Sequence, residues 1–207
     1  KSSLPKITFD LLRKADLTQL QNINTIKRQL NSFNKQGLGG TVSKCIAAIN
    51  NALVDIASKN YDLSAVDFLG GSLRNEVPTY WSHCGTTRVR NSKDAGKPKI
   101  KNQRDINNFG KEIVKSGFEV IKTNIALFDN KSFIYMPGHK HNFKNPSLKM
   151  SKKVLDGIEY WISSLKKSTK NNISIALDLN FNFKLVDLKE ICKRLEKYNL
   201  KWIEIDT

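Results

Sequence analysis

Residues 173–180 read ISIALDLN, an almost uninterrupted apolar run that ends in Asp178 and Asn180. A run that is apolar at nearly every position is typical of a strand buried on both faces of a parallel sheet. The preceding residues, 150–167, carry six large apolar side chains at helical spacing: Val154, Leu155, Ile158, Trp161, Ile162 and Leu165. The stretch therefore predicts a helix followed by a buried parallel strand.

The same alternation extends outward in both directions from this unit. Apolar or β-branched runs predict further strands at 77–82, 117–124 and 200–205. Helical periodicity predicts helices at 105–116 and 185–198. Residues 77–207 thus follow a β-α-β-α-β-α-β order, which is typical of a parallel α/β sheet or barrel. Both classes stay open at this step.

A long connection is predicted between the second and third of these strands, at 126–149. It contains the breakers Pro137-Gly138 and Asn145-Pro146. Its His139 and His141 are spaced as a metal pair would be, but no carboxylates adjoin them. We interpret this segment as a lid or surface loop.

The N-terminal segment, 1–72, has helical patterns and no strand pattern. One helix is predicted at 17–36 and ends at Gly37, and a second begins near Thr41. Their apolar stripes are Leu17, Leu20, Ile23, Ile26 and Leu30 in the first, and Val42, Ile46, Ile49, Leu53 and Ile56 in the second. We therefore expect a helical unit at 1–72 and an α/β unit at 73–207.

Charge and composition restrict the partners. The chain has 35 Lys and Arg against 19 Asp and Glu, a formal charge of +16, which can indicate nucleic acid or an anionic surface. The lysines are spread over the whole chain and the aromatics lie inside apolar runs, so we expect no nucleic-acid partner. A small anionic substrate suits this charge better. No apolar run approaches the roughly 18 residues of a membrane span, so no membrane partner is expected either.

Three cysteines, Cys45, Cys84 and Cys192, show no paired spacing. Cys45 and Cys192 fall on apolar helix faces, which favours buried thiols in a reducing compartment. Cys84 lacks an activating His–Asn set and is not interpreted as a nucleophile. These features predict a cytoplasmic protein.

Polar side chains follow the predicted strands where each one ends, and in parallel barrels chemistry takes place at these ends. In chain order they are Ser82-His83, Lys122-Thr123-Asn124, Asp178-Leu179-Asn180 and Glu204-Ile205-Asp206. A carboxylate that ends an apolar strand needs a partner, and a hard divalent cation is one. In the alternative, Asp178 and Asp206 cap the following helices and Glu204 is an exposed strand end. Both interpretations stay open on residue types alone.

Five segments in order resemble the enolase superfamily, specifically relatives of mandelate racemase and muconate lactonizing enzyme. Residues 47–59 (AAINNALVDIASK) resemble the helix that closes the capping domain of that family. Residues 68–71 and 77–80 (FLGG and VPTY) resemble the entry into its first barrel strand. The strand ends at Lys122, at Asp178 with Asn180, and at Glu204 after Trp202-Ile203 complete the series. The resemblance covers roughly residues 20–207.

The resemblance implies a partial (β/α)₈ TIM-type barrel, its first four or so strands, preceded by helices of an N-terminal capping domain. It implies Mg²⁺ held by carboxylates on successive strands, with Asp178 and Glu204 as the first two ligands. In such enzymes the ion binds the substrate carboxylate and a base removes the neighbouring α-proton, so that the metal stabilises the enediolate. Lys122 matches a lysine that contacts the substrate carboxylate.

The chain departs from the family pattern at two positions. Asn124 stands where relatives often carry a lysine base, and an amide cannot take up a proton. Asn180 stands where some sugar-acid dehydratases carry a histidine acid. We expect both to bind substrate, and His83 and Arg88, which border the barrel mouth, to contact an acid substrate. Two alternatives stay equally open: His83 is a packed loop histidine, and Arg88 is a solvated surface arginine.

The sequence predicts a Mg²⁺-dependent lyase or isomerase acting on a small carboxylate, with dehydration of an acid sugar favoured. A racemase or cycloisomerase of the same superfamily is the nearest alternative, and a catalytically silent relative or basic binding module is the second. A complete barrel needs about 250 residues, so we expect a part of a longer protein. Relatives in this family are often homo-oligomers, so the resemblance implies a homo-oligomer as well. The third ligand and the base are expected beyond Thr207, and the 207-residue chain alone is expected to bind Mg²⁺ weakly and to be inactive.

Overall fold

The computed structural model describes residues 3–18, 22–34, 39–137, 150–180 and 182–206. Within it the chain divides into two compact units, Lys1–Val77 and Pro78–Thr207. The first is helical, and the second combines helices with a parallel sheet, so the protein is of the mixed α/β class. Leu20, Gly37, His139, His141 and Thr207 lie outside the described residues. No described helix is both long and apolar enough to span a bilayer.

The described residues of the first unit form four helices: α1 (Leu4–Lys14), α2 (Ile23–Ser32), α3 (Gly40–Asn60) and the short α4 (Ala65–Phe68). The predicted stripes supply most of its core, which consists of Leu11, Ile26, Leu30, Cys45, Ile46, Ile49 and Leu53. Two members of those stripes do not join it, since Leu17 lies beyond α1 and Ile56 is 47 % exposed on α3. Helix α1, which the sequence interpretation missed, begins with Pro5 in its first turn.

The second unit is built on a three-stranded parallel sheet in the order β1 (Val120–Asn124), β4 (Ser174–Asp178), β5 (Trp202–Glu204). The crossovers are formed by α7 (Lys152–Ser168), between β1 and β4, and by α8 (Leu185–Leu195) with the 3₁₀ turn Glu196–Tyr198, between β4 and β5. Helices α5 (Thr86–Arg90) and α6 (Gln103–Lys115) precede β1. The three strands therefore lie in the sheet in the same order as they follow one another in the sequence.

One face of the sheet is packed against the helices. Ile121, Ile175 and Leu177 lie in a core that also contains Phe109 of α6 and Trp161 of α7. The indole Nε1 of Trp161 donates a hydrogen bond of 3.3 Å to the hydroxyl of Thr123. Since side chains alternate along a strand, the even-numbered residues of β1, β4 and β5 lie on the opposite face.

Two of the predicted segments differ in the structure. Residues 77–82 form no regular strand, and only Trp81 pairs, in a single parallel bridge to Ile121. Trp81 both donates to the carbonyl of Val120 and accepts from the amide of Lys122, so the chain does run parallel beside β1 here. The regular pairing ends after Trp81 because residues 82–85 form a turn, with His83 at a φ of 52°. Beyond His83 the amide of Cys84 still donates to the carbonyl of Lys122.

The segment 126–149, interpreted as a loop, begins with an antiparallel hairpin of β2 (Ala126–Phe128) and β3 (Ser132–Ile134). The turn residues Asp129 and Asn130 lie in the three-residue loop 129–131, but the strands on either side are too short to show a period of two. Cys192 is a further correction, since it is exposed on α8, whereas Cys45 is buried as expected. Cys84, for which no burial was predicted, is buried as well.

Candidate functional site

The carboxyl ends of β1, β4 and β5 bring four polar side chains to one face of the sheet. Asn124 lies opposite Asp178 in the register between β1 and β4, and Asp178 lies opposite Glu204 in the register between β4 and β5. Lys122, two residues before Asn124, lies on the same face. Parallel strands end at the same edge of a sheet, which is why residues up to 82 positions apart in sequence meet here.

Lys122 is the centre of this cluster. Its Nζ atom lies 2.9 Å from Oε1 and 2.9 Å from Oε2 of Glu204, and 3.3 Å from Oδ2 of Asp178. The Lys122 and Asp178 side chains are 10 % and 9 % exposed, whereas Glu204 is 37 % exposed. One ammonium group therefore neutralises two carboxylates from neighbouring strands, at a site that is partly exposed to solvent through Glu204.

The ionisation of the cluster follows from these contacts. Burial would lower the pKa of Lys122, but its hydrogen bond to Glu204 and the charge of Asp178 outweigh burial and raise that pKa. The hydrogen bond from Lys122 is in turn the main cause that lowers the pKa of Glu204, against a smaller desolvation effect. Lys122 is thus a fixed cation at neutral pH, which suits electrostatic stabilisation and not proton abstraction.

Asp178 is held in place by the turn that follows β4. Its Oδ1 atom accepts hydrogen bonds from the backbone amide of Asn180 at 3.0 Å and from the Asn180 side-chain amide. Asn180 has a φ of 51°, the left-handed region that Asn tolerates better than most residues. The Asp178 carboxylate does not cap α8, which begins at Leu185, so the capping alternative for this residue is wrong.

Asn124 lies beside this cluster in a separate hydrogen-bonded group. Its Oδ1 atom accepts from the hydroxyl of Thr86 at 3.0 Å and lies 3.0 Å from Nδ1 of His83, and its backbone amide donates to Thr86 Oγ1 at 3.3 Å. The Asn124 and Thr86 side chains are buried, and His83 is exposed. Sequence interpretation missed Thr86, since a single threonine after a turn carries no pattern of its own.

Arg88 is not part of this arrangement. Its Nη1 atom is 2.7 Å from Glu112 Oε2, its Nε donates to the carbonyl of Pro98, and its guanidinium stacks 4.9 Å from the ring centroid of Phe109. Its partners belong to α6 and to the loop before it, not to the strand ends. Cys84 also packs in the core, where burial raises the pKa of its thiol, so it is no nucleophile.

The carboxylates of Asp178 and Glu204 could supply some, but not all, of the ligands of a divalent cation. Asp178 and Glu204 supply carboxylate oxygens, the ligand type that Mg²⁺ prefers, and Mg²⁺ is often held through one or two carboxylates with water or substrate completing its shell. Among the described residues no group of three or more His, Cys, Asp or Glu is arranged to hold a metal. The described residues therefore offer two candidate ligands, Asp178 and Glu204, and the ammonium group of Lys122 contacts the carboxylates of both.

The chain is similar to solved structures over its whole length. A proposed L-alanine-DL-glutamate epimerase from Burkholderia xenovorans strain LB400, in a structure bound to magnesium and fumarate, superposes with a TM-score of 0.91 at 29 % identity, covering 100 % of this chain and 51 % of that one. A mandelate racemase/muconate lactonizing enzyme-like protein from Rubrobacter xylanophilus has a TM-score of 0.72 at 20 % identity, covering 97 % and 50 %. Its structure neighbours thus include enolase-superfamily and mandelate racemase-like proteins.

Sequence comparison gives a further, weaker match. The D-xylonate dehydratase of Haloferax volcanii is 22 % identical over 167 residues, which cover 81 % of this chain and 35 % of that enzyme. No family model matches the sequence. The chain spans about half the length of the solved relatives and about a third of the length of the dehydratase.

Proposed function

We propose that the protein removes the α-proton of a small carboxylate substrate, with Mg²⁺ held by Asp178 and Glu204. Dehydration of an acid sugar is the preferred reaction, and racemisation or cycloisomerisation is the alternative within the same superfamily. In this proposal the sheet of the second unit is the first part of a (β/α)₈ barrel, and helices within residues 1–72 belong to a capping domain. The complete protein is proposed to be cytoplasmic and homo-oligomeric.

The observation that carries the proposal is the contact of Lys122 with two carboxylates at adjacent strand ends. Burial of two carboxylates side by side costs free energy unless a cation neutralises them. An ion pair with a purely structural role would not have to lie at the carboxyl ends of the strands, where parallel barrels place their chemistry. Two carboxylates and a lysine at this place form instead a site that can exchange one cation for another.

Within this site, Mg²⁺ when bound would supply positive charge to the substrate carboxylate and so stabilise the enediolate that forms from it. The chain's own residues would hold and orient the substrate. Lys122, freed from Glu204, donates to a carboxylate oxygen of the substrate, and Asn124 and Asn180 bind its hydroxyl groups. Neither amide can take up a proton, so the general base is a residue outside this group.

The relatives support this proposal at the level of chemistry. The Burkholderia structure is bound to magnesium and to fumarate, a small carboxylate. The Haloferax enzyme is named for dehydration of a sugar acid. Both agree with a metal-assisted reaction on a small carboxylate, and the second favours dehydration.

Titration calorimetry of the chain with Mg²⁺ tests the proposal. Wild type should bind one ion weakly, and Asp178→Asn and Glu204→Gln should each reduce the affinity at least about tenfold, because each removes one charged ligand. Glu190→Gln, an exposed glutamate of α8, is the matched control and should bind as wild type does. Equal Mg²⁺ affinity in all four proteins would overturn the proposal.

A catalytically silent relative or basic binding module is the second candidate. It is favoured by Asn124 at the position of a potential base and by the net charge of +16. It predicts no Mg²⁺ dependence of any ligand binding, together with binding to nucleic acid that weakens steeply as salt rises.

A further inference from the structure

A small cavity of about 160 Å³ lies beside the carboxylate pair, lined by Met136 and by polar side chains: His83, Thr86, Thr87, Arg90, Asn124 and Asn180. Asn180 connects the cavity to the metal-ligand candidates, because it donates to Asp178. Asn124 connects it from the other side, because it is the register partner of Asp178. Asp178 therefore contacts both Lys122 and Asn180, a residue that lines this cavity.

Two hydrogen-bond donors of the cavity have no partner in the described part of the chain. The Oδ1 atom of Asn124 is already bound by Thr86 and lies against His83, which leaves its Nδ2 group without a partner among the described residues. The guanidinium of Arg90 likewise has no hydrogen-bond or ion-pair partner in the described part of the chain, in contrast to Arg88. No described acidic residue lines the cavity.

A cavity with one free guanidinium, a free amide donor and no carboxylate favours an anionic group. Its volume corresponds to about five water molecules at roughly 30 Å³ each, enough for a carboxylate and a short carbon chain. We propose that this cavity binds a second carboxylate of the substrate, at the opposite end from the one held at Lys122, and that Arg90 selects for it. The substrate is then a short hydroxylated dicarboxylic acid.

This inference rests on the proposed function, since it assigns the near end of the substrate to Lys122 and Mg²⁺. Arg90 was not among the residues expected to contact substrate, and the structure gives it the role first expected for Arg88. The difference comes from their partners: Glu112 and Pro98 already satisfy Arg88. Arg90 is a specificity residue in this account and takes no part in proton transfer.

The test compares two acids that differ only in the far group, L-tartrate with a second carboxylate and L-threonate with a hydroxymethyl group. Affinities for wild type, Arg90→Gln and Arg104→Gln are measured by ¹H–¹⁵N NMR titration with Mg²⁺ present and at constant ionic strength. Arg104 is an exposed arginine of α6 without a side-chain partner in the described chain, so Arg104→Gln controls for net charge.

Wild type should bind tartrate about tenfold more tightly than threonate, in line with a hydrogen bond between charged groups. Arg90→Gln should reduce that ratio to about one or two, and Arg104→Gln should retain it. Equal affinity for the two acids in wild type, a preference that survives in Arg90→Gln, or no tartrate binding at all would each overturn the proposal.

Repeating the titration with EDTA in place of Mg²⁺ separates this proposal from the proposed function. A tartrate preference that depends on Arg90 but not on Mg²⁺ would keep the cavity assignment and count against the metal-dependent function. Mg²⁺-dependent binding of both acids with equal affinity would keep the function and overturn the assignment to Arg90.

Discussion

Both carboxylate oxygens of Glu204 lie 2.9 Å from the ammonium nitrogen of Lys122, although the two residues are 82 positions apart in the sequence. The contact spans the carboxyl ends of β1 and β5, which are separated in the sheet by β4 and its Asp178. The same lysine serves as the counter-ion of two carboxylates, so its removal has consequences for stability as well as for binding.

Lys122→Met should lower the free energy of unfolding by about 2 kcal/mol in the absence of Mg²⁺, less than for a fully buried pair because Glu204 is 37 % exposed. The two carboxylates would then repel each other without a counter-ion. Saturating Mg²⁺ should raise the melting temperature of this variant more than that of wild type, since the ion no longer competes with the ammonium. Thermal unfolding with and without Mg²⁺ measures both effects.

The control for this variant is Lys111→Met on the exposed face of α6, which should change stability by less than about 0.5 kcal/mol. A Lys122→Met protein as stable as wild type without Mg²⁺ would contradict the role of Lys122 as counter-ion.

Asn124→Ala should destabilise the protein by about 1–3 kcal/mol, because it leaves the buried hydroxyl of Thr86 without its acceptor. Thr86→Val removes the other partner. In a double-mutant cycle by urea unfolding, the two changes should show a coupling energy of about 1 kcal/mol. Strict additivity would show that the hydrogen bond between these side chains contributes nothing to the fold.

Glu159 links α7 to α8 and to the 3₁₀ turn after it, since it accepts hydrogen bonds from Arg194, Lys197 and Tyr198. Hydrogen bonds from Lys197 and then Arg194 lower the pKa of Glu159 to about 2. Because this folded-state pKa lies below the unfolded value, the stabilisation is fully present above about pH 4.5 and is lost as pH falls towards 2. Glu159→Gln should therefore lower the melting temperature at pH 7 but hardly at pH 2.

The measurement is the difference in melting temperature between wild type and Glu159→Gln across this pH range. Glu190→Gln, a change of the same kind at an exposed site, should show no such pH-dependent difference. A constant difference at all pH values would mean that lost packing, not lost charge, is the cause.

Gly110 allows α6 to approach α7 closely. A Cβ atom at this position would lie 2.7 Å from the backbone carbonyl carbon of Ser168, closer than van der Waals contact permits. Gly110→Ala should therefore destabilise by about 1–3 kcal/mol, although alanine is the better helix former. Lys111→Ala is the neighbouring control and should be near neutral by chemical denaturation. A stabilised Gly110→Ala protein would contradict the close packing of these helices.

Much of the second unit was predictable because its parallel strands are short apolar runs with a polar residue at the end. Residues 173–180 predicted β4 and the position of Asp178, and the run before Glu204 predicted β5. The grouping of the strand ends also followed, since parallel strands between helices end at one edge. The assignment of these residues to metal and substrate is not settled by the fold and stays a prediction.

The sequence did not predict contacts made by short segments that have no helical or strand periodicity. Arg88 was expected at the mouth because it follows the predicted first strand, but its salt bridge to Glu112 depends on how α5 packs on α6. Arg90, two residues later, carries no distinguishing pattern. The hairpin β2–β3 was missed because its strands have only three residues each, too few for a period-two pattern to show.

The most direct test of the metal site is paramagnetic broadening by Mn²⁺, which substitutes for Mg²⁺ at oxygen sites. In ¹H–¹⁵N spectra of the 207-residue chain, substoichiometric Mn²⁺ should first broaden the backbone amides of Lys122, Asp178 and Glu204, and excess Mg²⁺ should restore them. Asp178→Asn should abolish this pattern. Broadening centred elsewhere in the chain, or unchanged in Asp178→Asn, would contradict the assignment of the strand-end carboxylates as the metal site.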